Sequence, residues 1–315
     1  MSTRKTALFV DGNALMHRSF HAVKFNPTYK DQPVGMVYGM GSALMQSLMA
    51  FQPDVIVYGF DTKEKTFRHD MDDAYKAHRQ KAPDEFYAQL PMIDELLEAF
   101  DIPIIKAPGF EADDIVGTLA VQFAQREFKS IIMSNDMDYC QLLGDHVQLC
   151  RPQGQITPDS LFTPEEAEAK MGVKIHQIID FKAITGDSSD NYKGIDGVGP
   201  KGAATLLKQF ESLEGIYQNL EKISKKVRLK FESQRDYAFH CQSLAKIKTD
   251  VALPFEIPSH TPINYRGGSD FFSRIQFASL AKRAEKMNNK NDQEFFIETK
   301  SSSKKTEEES QMSLF

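Results

Sequence analysis

At 315 residues, 41% hydrophobic and 26% charged, the chain has enough material for one large globular domain or two modest ones. No apolar run approaches the ~20 residues of a bilayer span and the apolar stretch after MSTRKT is too short for a signal peptide, so a cytoplasmic location is expected. Three cysteines (Cys140, Cys150, Cys241) without CxxC spacing argue against a disulfide framework or a thiolate zinc site, and a net charge of −6 argues against a uniformly basic nucleic-acid protein.

From the N-terminus, short β-branched or aromatic runs alternate with helical patterns: TALFVD then MVYGMGSALMQSLMAF, DVIVYGFD then FYAQLPMIDELLEAF, IPIIK then EADDIVGTLAVQFAQ, and KSIIMSND then DYCQLLG. This rhythm predicts a parallel sheet with helices on both faces. Three of the strands end in an acid, Asp11, Asp61 and Asp136, and ligands of such sheets bind at the carboxyl ends of the strands. A single Asp after a strand is explained by a turn or a helix cap. Three on one rim are not, and the fourth strand leads into FEADDIVGTLA, where Glu111, Asp113 and Asp114 crowd the head of a helix. Capping asks for one acid; unit charges about 4 Å apart repel by roughly 4 kcal/mol at an effective dielectric near 20 unless a cation lies between them.

Between Asp61 and the next helix runs TKEKTFRHDMDDAYKAHRQKAPDEF, too long for an ordinary connection, with Lys63, Lys65, Arg68, Lys76, Arg79 and Lys81 interleaved with Phe67 and Tyr75. That mixture suits a single strand held by charge and stacking, against the plainer reading of a solvated loop. From about residue 164 the pattern is helical throughout. TGDSSDN adds Asp187 and Asp190, and Asp138 follows Asp136, which brings the acids to nine. A carboxylate set without His or Cys is that of a hard cation, Mg²⁺ or Mn²⁺, and its size suits a pair of ions acting on a phosphodiester. GIDGVGPKG places Gly197, Gly199 and Lys201 where backbone amides and an ammonium meet a phosphate, and residues 193–248 carry eleven Lys or Arg against six acids. After Phe296 the Ser/Lys/Glu composition cannot bury a core and reads as a flexible tether.

FVDGNALMHRSFHA, YGFD with TFRHD, YKAHR, GFEADDIVGTLA, MSNDMDYCQLL, ITGDSSDNYKGIDGVGPKGAATLL and FFSRIQFASL together resemble the 5′ nuclease superfamily: the 5′→3′ exonuclease domain of bacterial DNA polymerase I, its phage relatives and the flap endonucleases. The resemblance covers about residues 5–285 and implies an α/β, PIN-like core over 1–163. It also implies a helical arch at about 63–87 and a helical DNA-binding region over 164–285, with a helix-three-turn-helix at about 184–210 that often holds K⁺. By the same resemblance all nine acids hold two or more divalent cations, Arg18, Arg68, Lys76 and Arg79 contact phosphates, and Tyr75 stacks on a displaced base. The implied activity is 5′→3′ exonuclease and 5′ flap endonuclease cleavage of DNA, in removal of primers and flaps. A DNA-structure-binding protein with a degenerate acid set and a PIN-type ribonuclease are the alternatives, disfavoured respectively by the intact acids and by the duplex-gripping hairpin.

Two departures stand out: Asp72 and Asp73 place negative charge inside the arch, and Gly202 stands where a hydroxyl residue is common. No polymerase region follows, so a stand-alone, monomeric nuclease or a natural truncation is expected. The last five residues resemble the short peptide by which bacterial replication enzymes dock on the sliding clamp. Gln311 would make polar contacts, and Met312, Leu314 and Phe315 would fill apolar pockets at the end of a tether over 286–310.

Overall fold

β1 (Thr6–Asp11) and β4 (Val55–Phe60) are apolar on both faces, the pattern of strands covered from above and below. They lie at the centre of a six-stranded sheet in a computed structural model that describes residues 4–23 and 27–289. The hairpin pair β2 (Thr28–Tyr29) and β3 (Gln32–Pro33) stands apart. With β5 (Ile104–Lys106), β6 (Lys129–Met133), β7 (Val147–Cys150) and β8 (Leu161–Phe162), the sheet order is β5-β4-β1-β6-β7-β8. All pairings in it are parallel except β7 with β8. The order reverses at β1, whose neighbours are β4 on one side and β6 on the other, so the crevice between β1 and β6 is the place where such sheets bind ligands.

Alternate side chains of the central strands feed two cores. Leu8, Val10, Ile56 and Tyr58 pack with α1 (Gly12–Ala22), α2 (Gly35–Phe51) and, farther along, α5 (Leu90–Ala99). Ala7, Phe9, Val55 and Val57 pack with α6 (Ala112–Gln125) and with a helical layer formed by the second half of the chain. That layer comprises α7 (Pro164–Met171), α8 (Ile178–Thr185), α9 (Pro200–Phe210), α10 (Leu213–Gln218), α11 (Lys225–Ser233) and α12 (Arg235–Ala245). α13 (Tyr265–Arg274) returns to the first core, and a last helical stretch runs through 278–289.

The expected α/β architecture with a mostly parallel sheet is therefore present. The strand predictions stopped at β6; β7, four residues between β6 and β8, and the two-residue edge strand β8 went unseen because neither is closed by a turn-and-helix pattern of the kind that marked the first four strands. The segment at 63–87 differs from a helical arch. It contains α3 (Phe67–Met71), a run of turns over 73–78, and α4 (Asp84–Tyr87). Five- and four-residue helices have little stability of their own, and this segment is held by ionic contacts to the carboxylates beneath it. Residues 286–289, expected in the tether, belong to the last helical stretch; 290–310 and Gln311, Met312, Leu314 and Phe315 lie outside the described residues.

Candidate metal centre

Four strands deliver acids to one rim. Asp11 ends β1, Asp61 follows β4, Glu111 follows β5 at the head of α6, and Asp136 follows β6. Each is held by short local bonds. Asp11 accepts from the Ala14 amide at 2.9 Å, capping α1, and from Ser134 Oγ at 2.9 Å. Asp61 accepts from the Ala112 amide at 2.7 Å, which docks the start of α6 against β4. Tyr139 Oη reaches Asp113 Oδ1 at 3.0 Å and Asp11 Oδ2 at 3.4 Å, tying these two acids together. Asp136 Oδ1 accepts from the Asp138 amide at 2.8 Å. Beside them, Asp138, Asp187 and Asp190 offer oxygens that all lie within 4.8 Å of one another.

Burial pushes the Asp11 carboxyl up to about 6, against its two hydrogen bonds and with Asp61 and Asp136 adding to the rise. Asp61 is raised by burial too, and burial followed by repulsion from Asp11 and Asp136 takes Asp113 well above the carboxylate range. Burial and Asp136 bring Asp138 to about 7. Among the described residues, Asp11, Asp61, Asp113 and Asp136 make no ion pair with any Lys, Arg or His. Crowded oxygens without an ion-paired protein cation are the donor set of a divalent hard cation. Asp138, Asp187 and Asp190 offer a second close oxygen set that fits such an ion, shared in this structure with Lys182, Lys76 and Arg79.

The remaining acids are paired within the protein. Glu111 receives Lys76 Nζ at 2.7 Å, Arg68 Nη1 at 3.2 Å and Tyr75 Oη at 3.0 Å; burial disfavours its charge, but Lys76 and Arg68 outweigh that and hold it below the usual range. Asp190 pairs with Arg79 at 2.9 Å and lies 3.8 Å from Lys76 Nζ. Lys76 itself sits in the left-handed region, at φ 54°, with its amide bonded to the Asp190 carbonyl. A non-glycine residue is kept there only where its surroundings demand it. Lys182, at the end of α8, bridges Asp138 and Asp187; burial opposes the Asp187 charge, but Lys182 and the Ser189 bonds bring it down to about 2.

Three expectations are corrected. Arg68 was expected on a phosphate, but only 3% of its side chain is exposed and its guanidinium forks Asp114 at 2.7 and 2.9 Å while donating to the Leu244 and Lys246 carbonyls. Asp114 was expected on a metal. It is fully buried, and its two oxygens already accept from both Arg68 nitrogens and from the Glu111 and Lys248 amides. Four donors exhaust the lone pairs of a carboxylate. Tyr75 was expected to stack on a base, yet its ring is buried and its hydroxyl is spent on Glu111 and Asp190, at 3.0 and 3.1 Å. Arg18, half-buried on α1, makes no ion pair with the acid set among the described residues.

The acid loop and the glycine hairpin form one crossing. Gly186 and Gly194, at φ 74° and 66°, pass so closely that a Cβ on Gly186 would stand 2.3 Å from the Lys193 carbonyl carbon. Asp187 and Tyr192 pair across the turn, and the Ile195 amide bonds the Ile184 carbonyl. Gly197, at φ 72°, then turns the chain into α9, which Gly199 caps and Pro200 begins. Lys201 is exposed on its first turn, and the Gly197 carbonyl accepts from Lys230 at 2.9 Å. The sequence reasoning missed Tyr139, Ser134 and Lys182. The signal for Lys182 was a lone lysine in an apolar turn five residues before Asp187, whereas nothing local marks the other two.

Residues 6–172 match the family model for the 5′-3′ exonuclease N-terminal resolvase-like domain, and residues 173–265 match that for the 5′-3′ exonuclease C-terminal SAM fold. DNA polymerase I of Caldicellulosiruptor bescii is 38% identical over 277 residues, covering 87% of this chain and 33% of that protein. DNA polymerase I of Bacillus subtilis is 38% identical over 283 residues, covering 90% and 31%. The chain thus spans about a third of the length of these curated relatives. In fold it is similar to T5 5′-exonuclease with divalent metal ions (zinc) bound, with a TM-score of 0.67 at 19% identity, over 90% of this chain and 99% of that one. It is also similar to human GEN1 in complex with Holliday junction DNA, with a TM-score of 0.57 at 15% identity, over 86% and 68%. Matched along both its sheet and its helical layer, the chain belongs to the 5′-3′ exonuclease family.

Proposed function

We propose that this chain is a divalent-metal-dependent 5′ nuclease that cuts DNA at 5′ flaps, nicks or 5′ ends. The observation that carries the reading is the convergence of Asp11, Asp61, Asp113 and Asp136 on one rim without an ion-paired basic partner, next to the cluster of Asp138, Asp187 and Asp190. Asp11, Asp61, Asp113 and Asp136 would hold one Mg²⁺ or Mn²⁺, and Asp138, Asp187 and Asp190 a second. When bound, such ions supply a more acidic water and a counter-charge for the phosphodiester oxygens.

The protein's own groups do the rest. Gly197, Gly199 and Lys201 present amides, a helix N-terminus and an ammonium to a duplex phosphate, with K⁺ as a further aid at that hairpin. Lys76 and Arg79, drawn over the acids from the 63–87 segment, offer positive charge where negative charge grows on the phosphate. Arg68 and Asp114 lock that segment to α6, and Tyr75 orients Glu111. The tail residues Gln311, Met312, Leu314 and Phe315 would dock on a bacterial sliding clamp, raising local concentration at nicks and flaps. A cytoplasmic monomer is the form proposed.

The test is cleavage of a 5′-labelled flap in Mg²⁺ by the wild type and Asp113→Asn, with flap binding measured in Ca²⁺. Cutting lost in the variant with binding retained supports the nuclease; binding without cutting by the wild type leaves a DNA-structure-binding protein.

A further inference from the structure

The two acid sets differ in how their charge is met. Asp11, Asp61, Asp113 and Asp136 make no ion pair among the described residues, with Lys76 acting on Asp61 and Asp113, and Arg79 on Asp61, only at longer range, whereas Asp138 and Asp187 hold an ammonium between them. The Lys182 ammonium contacts Asp138 Oδ1 and, at 2.6 Å, Asp187 Oδ2, and its side chain is only 12% exposed. Lys76 and Arg79 reach the acids from the 63–87 segment, but Lys182 is carried by α8, the helix that runs directly into the Gly186 turn and the acid loop. It therefore belongs to the half-site itself. Among the described residues no other basic side chain pairs with Asp138 or Asp187.

We infer that Lys182 is the resident counter-ion of this half-site and the direct competitor of the cation that fills it. The inference rests on the metal reading above. A cation bound by both Asp138 and Asp187 needs the place the ammonium fills, so it enters only when Lys182 turns aside. The Asp11 side asks for no such displacement. The two half-sites then fill in order, the Asp11 side first and the Asp138 side at higher concentration. Where only a minor fraction of molecules has the lysine withdrawn, apparent affinity falls by that fraction. The ammonium also keeps Asp138 and Asp187 from repelling each other while no ion is bound, so the loop bearing Asp190 holds its shape.

Titration calorimetry of the full chain with MgCl₂, and with MnCl₂ followed by electron spin resonance, tests this without DNA or turnover. The wild type should show a tighter and a weaker phase. Lys182→Met should tighten the weaker phase by about tenfold or more, bringing the two phases together. Lys182→Arg, whose fork grips two carboxylates at once, should weaken it further. A lysine that merely braces the loop would make both variants bind more weakly, and that result overturns the inference, as does a weaker phase unchanged in both. Should Lys182→Met fail to fold, Lys182→Gln takes its place under the same outcomes: a weaker phase that loosens or stays unchanged overturns the role. A wild type that binds neither Mg²⁺ nor Mn²⁺ overturns the metal reading itself and the inference with it.

Discussion

Replacing Arg68 with methionine separates two accounts of that residue. As a phosphate contact, its loss would weaken DNA binding and leave stability alone. The structure instead buries the guanidinium against Asp114, Glu111 and two carbonyls, and Asp114 is 0% exposed. Arg68→Met would leave Asp114 desolvated with only two amide donors, and breaking a buried pair by removing one partner costs about 3–5 kcal/mol. At roughly 2–4 °C per kcal/mol for a chain of this size, the thermal midpoint should fall by roughly 10 °C. Because the same pair holds α3 to α6, the 63–87 segment should also become protease-sensitive. The double variant Arg68→Met/Asp114→Leu should recover most of the loss, since apolar replacement of a whole buried pair is often close to neutral. Urea and thermal unfolding of the wild type and the two variants check this. An Arg68→Met protein within about 1 kcal/mol of wild type would refute the buried-pair account, because even the low end of the expected cost is about three times that.

Acid titration gives a second prediction. Asp11 and Asp138 have folded pKa values raised to about 6 and about 7, so they contribute stability that is complete at low pH and lost as pH rises through that range. In EDTA the protein should therefore be more stable near about pH 5 than near about pH 8, and saturating Mg²⁺ should remove or reverse the difference. Asp187, lowered to about 2, acts oppositely and sheds its contribution only in strong acid. Gly186→Ala forces a side chain into a left-handed conformation against the Lys193 backbone; a loss of about 2 kcal/mol or more in urea is expected, with weaker binding of Mg²⁺ by calorimetry. Removing residues 311–315 should leave flap cleavage in free solution unchanged and abolish stimulation by a bacterial sliding clamp. Equal stimulation of both forms would end the docking proposal.

The sheet was legible because β1, β4 and β6 are apolar runs of five or six residues closed by an acid, and the short β5 leads into α6, which announces itself with Glu111, Asp113 and Asp114. What local pattern could not supply was partnership. Arg68 and Asp114 are 46 positions apart, and Arg68 and Lys246 are 178 apart. Which acids pair within the protein and which face the crevice depends on closures of that span. For the same reason Tyr75, aromatic amid bases, read as a stacking surface until its hydroxyl was seen between Glu111 and Asp190. Asp114 looked no different from Asp113 in sequence, although α6 turns one into the protein and the other toward Tyr139.

The Gly186–Gly194 crossing has a mechanical meaning. Eight residues carry the chain from the end of α8 through Asp187 and Asp190 to the hairpin, with backbone against backbone and no slack to take up. On the nuclease reading proposed above, the crossing is a fixed ruler: a phosphate held by the hairpin would be registered against the carboxylates through this one short span. A single residue inserted between 186 and 194 should therefore move the position of the cut along the DNA.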